Sequence, residues 1–316
     1  MNLHDQIKGV IYGQAFGDAL GLGTEFMSKE QVKYHYPQGL GQVNQIIEDA
    51  HRSRWQKGEW TDDTDQMLCI FDSLLAHRKL HLLDIADRLY QWAQSGGMGI
   101  GNTVASVVFA PGFKENPRQV SRLAWEASGK NNAANGAVMR TSILGVWDYQ
   151  DLERVAHHAE EVCKLTHFDP RCVASCRIVC ALIALMLQGD CGDEKLVARV
   201  CQPYAEADHR VKDYVDKAFE PAIEKLELGA SHSIGYTLKA LGAGLWAMIH
   251  AMSYEEGILA VVHEGGDADT NASVAGALLG AKFGYSGIPS AWTESLLHRD
   301  ALDSRIVRLM ETIENK

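Results

Sequence analysis

The sequence predicts an all-α protein built as one large multi-helix domain. Apolar residues recur near a 3.6-residue period through most of the chain. Runs of β-branched residues with strict alternation are absent, and Asn135-Gly136 is flanked by polar and small residues instead of strand-like runs. The seven prolines are scattered, and no Ser/Gly/Pro-rich or low-complexity stretch interrupts the chain. A length of 316 residues would ordinarily suggest two domains. Without a linker, residues 1–316 read as one.

The first helix is expected over residues 3–22, with Ile7, Val10, Ile11 and Ala15 on its apolar face. Gly9, Gly13, Gly17 and Gly21 recur on an adjacent stripe, a pattern suited to close helix–helix packing. Residues 37–60 read as one long loop, a length usually associated with function or motion. Trp55 and Trp60 lie at its end, where they suit either the core or a cleft mouth. Helices over 65–76 and 82–94 follow, then a glycine-rich loop over 95–102 and a short helix over 117–127. A polar irregular loop spans 131–136, and 138–147 is again helical. Further helices are expected over 152–165, 171–188, 193–200, 209–227, 233–252, 254–262, 271–283 and 305–313.

Bulk composition excludes some functions. A formal net charge of −11 argues against tight nonspecific binding to nucleic acid, which needs a basic surface. No segment reads as long or apolar enough to cross a membrane, and no basic region followed by an apolar stretch opens the chain. The expectation is a cytoplasmic protein, a monomer by preference. Seven cysteines without a CxxC pair fit reduced thiols. Cys172, Cys176 and Cys180 share a helix face and read as small apolar packing. His77 and His81 lack a third ligand nearby, His157 and His158 do not share a helix face, and Glu160-Glu161 suits a solvated surface.

The chemistry concentrates in two acidic clusters, Thr61-Asp62-Asp63-Thr64-Asp65 and Asp267-Ala268-Asp269-Thr270, each directly before a helical apolar run. Carboxylates at a helix N-terminus are favoured by the exposed N–H groups and the dipole. Alone, the first cluster is an ordinary helix start, with Thr61 as cap and the aspartates in the first turn. The second is preceded by Gly265-Gly266, which permit backbone angles that capping does not need. If the clusters converge, Asp62, Asp63, Asp267 and Asp269 repel one another unless cations neutralise them. Oxygen-only ligands suit Mg²⁺ or Mn²⁺ rather than zinc, and two such ions can assemble a hydrolytic site.

The order of motifs resembles a known family. Gly17-Asp18-Ala19-Leu20-Gly21, Trp60-Thr61-Asp62-Asp63-Thr64, Asn135-Gly136-Ala137-Val138-Met139-Arg140, Thr166-His167 and Gly265-Gly266-Asp267-Ala268-Asp269-Thr270 occur in this sequence. Together they are similar to the ADP-ribosylglycohydrolases, the family of the dinitrogenase reductase-activating glycohydrolase. The resemblance runs from about residue 7 to 287. It implies an all-helical domain with two Mg²⁺ or Mn²⁺ ions at the base of a cleft. The implied ligands are Thr61, Asp62, Asp63, Asp267, Asp269 and Thr270, with Glu25 near the metals and helping to gate the cleft. Ala268 stands where the family more often has threonine, at a position that is not a ligand.

The implied reaction is hydrolysis of an N- or O-glycosidic bond that releases ADP-ribose from a modified protein side chain, arginine in the first instance. An acidic site suits the cation-like sugar of the transition state. Asp269, Asp63 and Glu25 are the candidates for accepting the proton of water, with Asp269 preferred. A pyrophosphate can be held by backbone N–H groups of glycine-rich loops without basic side chains. Gly97, Gly99, Gly101 and Asn102 are candidates, as are Asn132, Ala133, Ala134, Asn135 and Gly136. His167 is implied beside the distal part of the ligand, and Tyr236 resembles a residue lining its adenosine side.

Serine-linked or small-molecule ADP-ribose is the alternative substrate. A non-catalytic immunity or crystallin-like role is the alternative class. The short stretch before the first helix is expected to lack a blocking arm, and the six ligand positions all hold competent residues, which favours catalysis.

Overall fold

Helices alone account for the regular structure of residues 2–314, the residues described by this computed structural model. Among them there is no β-strand; an isolated bridge pairs Ala134 with Tyr236. The helices run α1 (Leu3–Gly21), α2 (Lys29–His35), α3 (Asp62–His77), α4 (Leu82–Gln94), α5 (Asn102–Val108), α6 (Pro117–Ala127), α7 (Ser142–Trp147) and α8 (Leu152–Cys163). The second half adds α9 (Pro170–Leu187), α10 (Glu194–Ala207), α11 (His209–Phe219), α12 (Thr237–His250), α13 (Tyr254–Val262), α14 (Ala268–Phe283), α15 (Ser290–Ser295) and α16 (Arg299–Glu314).

Local chemistry explains many boundaries. Asn2, Ser28, Asn116, Asp151, Asp193 and Ser253 each cap a helix by accepting a backbone N–H. The Ser28/Gln31 capping box starts α2, which lies just before the predicted long loop. That loop is largely irregular but contains 3₁₀ turns at Val43–Gln45 and Arg52–Arg54. The region expected as one helix over 233–252 begins helically only at Thr237. The expected 209–227 helix stops at Phe219 and resumes as a 3₁₀ turn at Ile223–Leu226, because Pro221 cannot continue the ladder.

The interior is organised by α1 and α14, which lie antiparallel along the glycine stripe. A Cβ added at Gly9, Gly13, Gly17 or Gly21 would stand 2.3, 2.3, 2.1 and 2.4 Å from the carbonyl oxygens of Gly280, Gly276, Ala272 and Ala268. The four-residue stripe on α1 therefore meets a matching four-residue stripe on α14, and the two backbones touch. Residues 9–21 of α1 and 268–281 of α14 are buried on every face. Helices buried on all sides form the centre of the core, and α12 and α13 cover the remaining sides of α14. Tyr254 of α13 donates to Gly13 O at 2.7 Å across this junction.

One expectation is corrected here. α9 is long and apolar enough to cross a membrane by composition, with mean hydropathy 1.8 over 18 residues. It is nonetheless a core helix, since 72% of it is buried against other helices. Cys172, Cys176 and Cys180 lie fully buried on α9, as packing residues do.

Gly276→Ala should destabilise the protein by about 3 kcal/mol or more, because its new methyl would lie 2.1 Å from Gly13 O, within backbone that cannot step aside. Gly41→Ala, whose Cβ would meet only Gln45 Oε1 at an ordinary 3.8 Å, should stay within about 0.5 kcal/mol. Equal urea midpoints for the two variants would rule out backbone contact as the reason for the stripe.

Candidate active site

The register of α1 on α14 places the last turns of α1 beside the start of α14, and α3 begins at the same point. Asp18, fully buried on α1, accepts four hydrogen bonds from the start of α3. Its Oδ1 receives the Thr61 N–H and hydroxyl at 2.9 and 2.8 Å, and its Oδ2 receives those of Thr64 at 3.0 and 2.6 Å. Thr61 occupies the cap position of α3 but makes no cap bond of its own. A carboxylate from another helix caps α3, and Asp62 and Asp63 are fixed between the two anchored threonines.

The second cluster enters from Gly265 and Gly266, whose φ values of +71° and +72° are the unusual angles anticipated for them. Gly266 pairs with the turn after α1: Phe26 N donates to Gly266 O at 2.6 Å, and Gly266 N donates to Met27 O at 2.8 Å. Phe26 itself adopts φ +61°, so the turn is held in a conformation rare for an aromatic residue. Glu25 is thereby brought to the second cluster, and one carboxylate oxygen each of Glu25, Asp267 and Asp269 lie within 4.8 Å of one another. His51 Nε2 meets Glu25 Oε2 at 2.6 Å, and Arg52 donates to the backbone carbonyls of Gly23 and Glu25.

Both clusters open on one cavity of about 330 Å³. Glu25, Asp62, Asp63, Asp267, Asp269 and Thr270 form its acidic wall. Thr270 Oγ1 bridges the clusters, donating to Asp63 Oδ1 at 3.2 Å. The same cavity is lined by Gly99, Gly101, Asn102, Ala134, Asn135, Gly136 and His167. Gly99 has φ +95°, and a Cβ there would lie 2.5 Å from Asp62 Oδ1, so only glycine lets this loop close over the carboxylate. Asn135 Nδ2 donates to Asp267 Oδ2 at 2.6 Å and ties the two walls together.

Other predicted residues stand behind the cavity surface. Thr61 is turned to Asp18, and Gly97 packs on Ala93. Asn132 bonds to Thr103, Ala133 O accepts the Thr237 N–H, and the Tyr236 hydroxyl accepts from Arg171. Sequence reading assigned no role to Asp18, Gln66 or Arg140. Asp18 and Arg140 were visible as charged residues within otherwise small or apolar motifs, whereas Gln66 carries no such mark. Gln66 Nε2 donates to Asp62 Oδ2 at 2.9 Å.

The electrostatics of this wall are those of crowded buried acids. Burial, and then neighbouring carboxylates, raise Asp62, Asp63 and Asp269 well above the ordinary carboxylate range. Asp267 is raised to about 6 by burial and by the charge of Glu25. Asp18 is raised to about 7 by burial, against four hydrogen bonds that favour its charged form. His167 is lowered to about 3 by burial and by Arg140, so it is neutral at pH 7.

The sequence matches the family described as ADP-ribosylglycohydrolase over residues 1–316. The chain belongs to the ADP-ribosylglycohydrolase family. It is similar to the ADP-ribosylarginine hydrolase Tri1 of Serratia proteamaculans, at 25% identity across 95% of this chain and 77% of that protein. It is 27% identical to the ADP-ribosyl-[dinitrogen reductase] glycohydrolase of Rhodospirillum rubrum, across 93% and 91% of the two chains. A solved structure titled ADP-ribosylglycohydrolase-related protein complex aligns with a TM-score of 0.76 at 25% identity, covering 98% of this chain and 99% of that one. The activity class of this glycohydrolase is therefore ADP-ribosyl hydrolysis, in a fold with an acidic cluster able to hold metal.

Because the folded pKa values of Asp18 and Asp267 lie above the unfolded ones, protonation favours the folded state. That stability is fully present below about pH 4 and is lost as pH rises through about 6 to 7. In EDTA the glycohydrolase should show a melting temperature that falls steadily from pH 5.5 to 8. A rising melting temperature over that range, measured by calorimetry, would contradict the crowding of buried acids.

Proposed function

We propose that this glycohydrolase is a metal-dependent hydrolase that cleaves the N-glycosidic bond between ADP-ribose and an arginine side chain of a protein. The observation that carries this is the one cavity lined both by a carboxylate cluster and by glycine-rich loops with a neutral histidine. The arginine linkage is supported by relatives named ADP-ribosylarginine hydrolase, at 25% and 26% identity. An acidic wall also attracts a guanidinium leaving group by its charge.

The donor set fits hard divalent cations. Asp63 Oδ2 is buried and has no hydrogen-bond partner, which is costly for a carboxylate unless a cation meets it. The Thr61 hydroxyl commits its hydrogen to Asp18, leaving only lone pairs to offer. Asp62, Asp63, Asp267, Asp269, Thr61 and Thr270 would hold two Mg²⁺ or Mn²⁺ ions, with Glu25 beside them. When bound, such ions would neutralise the carboxylates and supply Lewis acidity toward the sugar and toward water.

The protein's own groups supply the rest. The loops of Gly99 to Asn102 and Ala134 to Gly136 bind the ligand through the backbone N–H groups left uncommitted once Ile100 donates to Gly97 O and Asn135 to Gly235 O, so an acidic protein can take an anionic substrate. Carboxylates along the acidic wall face the positive charge that develops at C1. Asp269 takes a proton from water as its oxygen bonds to C1 and the C1–N bond breaks. The same proton passes to the departing guanidine, which leaves as guanidinium.

Incubation with an arginine-ADP-ribosylated protein and Mg²⁺ should release free ADP-ribose, and excess EDTA should abolish release. No release, with ADP-ribose still bound in calorimetry, would reject the arginine linkage while leaving the cavity assignment. Asp269→Asn should lower kcat by about two to four orders of magnitude. Undiminished Mg²⁺-dependent turnover in that variant would remove Asp269 from the mechanism.

A further inference from the structure

Arg140 is fully buried behind the cavity, and its guanidinium reaches toward both walls. Nη1 donates to Gln66 Oε1 at 2.7 Å, and this fixes the amide so that Nε2 faces Asp62 Oδ2. Nη2 donates to Thr166 Oγ1 at 2.6 Å, and Thr166 Oγ1 lies 2.8 Å from His167 Nδ1. Arg140 can only donate. Thr166 therefore accepts from Arg140 and still has its own hydroxyl hydrogen to place. Among the described residues His167 Nδ1 is the acceptor within reach of that hydrogen. Leaving a buried hydroxyl unpaired forfeits its hydration with nothing in return, so the chain of bonds runs Arg140 to Thr166 to His167.

The direction of that chain decides the imidazole tautomer. With Nδ1 accepting, the ring proton of a neutral histidine sits on Nε2. His167 is 2% exposed, lines the cavity, and its Nε2 has no hydrogen-bond partner in the protein. We propose that Arg140 is a positioning residue that, through Thr166, locks His167 as a hydrogen-bond donor from Nε2 to an oxygen of the ligand in the cavity. Burial and the nearby guanidinium keep the ring neutral, consistent with its depressed pKa. The cavity thus gains a fixed donor for an anionic or hydroxyl oxygen without a free positive charge. The ligand side of this inference rests on reading the cavity as an ADP-ribose site; the tautomer does not.

Two readouts separate these parts. Nitrogen-15 NMR of the ligand-free protein, with His167 identified by the signals lost in His167→Asn, should show Nε2 protonated and Nδ1 bare. Thr166→Ser, which keeps the hydroxyl, should preserve that pattern, and Thr166→Val should lose it. By calorimetry, ADP-ribose should bind Thr166→Val roughly tenfold more weakly and Thr166→Ser about as well as the wild type. A wild-type His167 protonated on Nδ1 would overturn the proposal, and this spectrum tests it even if Thr166→Val does not fold. An unchanged tautomer in folded Thr166→Val would overturn it as well. The expected tautomer in a protein that binds no ADP-ribose would uphold the relay and reject the ligand reading.

Discussion

Backbone contact between α1 and α14 is the constraint on which the rest depends. Small residues every four positions on both helices let main chains meet at a separation that any larger side chain would prevent. The junction has one register, because carbonyl oxygens of one helix occupy the places where side chains would start on the other. That register sets Asp18 beside Asp269 and aligns the end of α1 with the beginning of α14. The Glu25 turn then has only a short way to travel to reach Gly266.

From this junction follows the unusual start of α3. A helix N-terminus ordinarily finds its acceptor in its own first residues. Here the acceptor comes from α1, and Thr61 and Thr64 serve as donors. The aspartates between them are released from capping and turned to the cavity. Concentrating acids in this way opposes folding of the metal-free chain, since each must lose hydration beside others of like charge. Helix N-termini at α3 and α14, the Gln66 and Asn135 amides, and the buried Arg140 behind them offset part of that cost. Bound divalent cations would offset more, which links metal affinity to stability.

The two walls have opposite chemistry for a physical reason. The proposed substrate, with a pyrophosphate at one end and a sugar that becomes cationic at the other, would need donors at one place and carboxylates at another. In that reading, backbone N–H groups and a neutral histidine would be donors that carry no net charge. They do not collapse onto the neighbouring acids as lysine side chains would. Asn135 stands at the boundary, its backbone in the loop and its amide on Asp267.

Much of this protein was legible in one dimension. The 3.6-residue period and the missing strand patterns specify helices, because helix formation is governed by near neighbours. The glycine stripe foretold close packing, and the two aspartate clusters with Gly265-Gly266 foretold a convergent acidic site. What the sequence left open was pairing: which small-residue stripe meets the glycines, and which carboxylate caps α3. Short helices such as α5 and α15 were also missed, because so few turns give little periodicity. The bond from Arg140 to the Thr166-His167 pair joins segments that only the folded chain brings together. The sequence by itself thus determined the helices and the chemical identity of the acids, which depend on local preference and residue type. Tertiary structure alone decided which carboxylates face the cavity and which imidazole nitrogen is left without a protein partner, because those outcomes depend on contacts between distant segments.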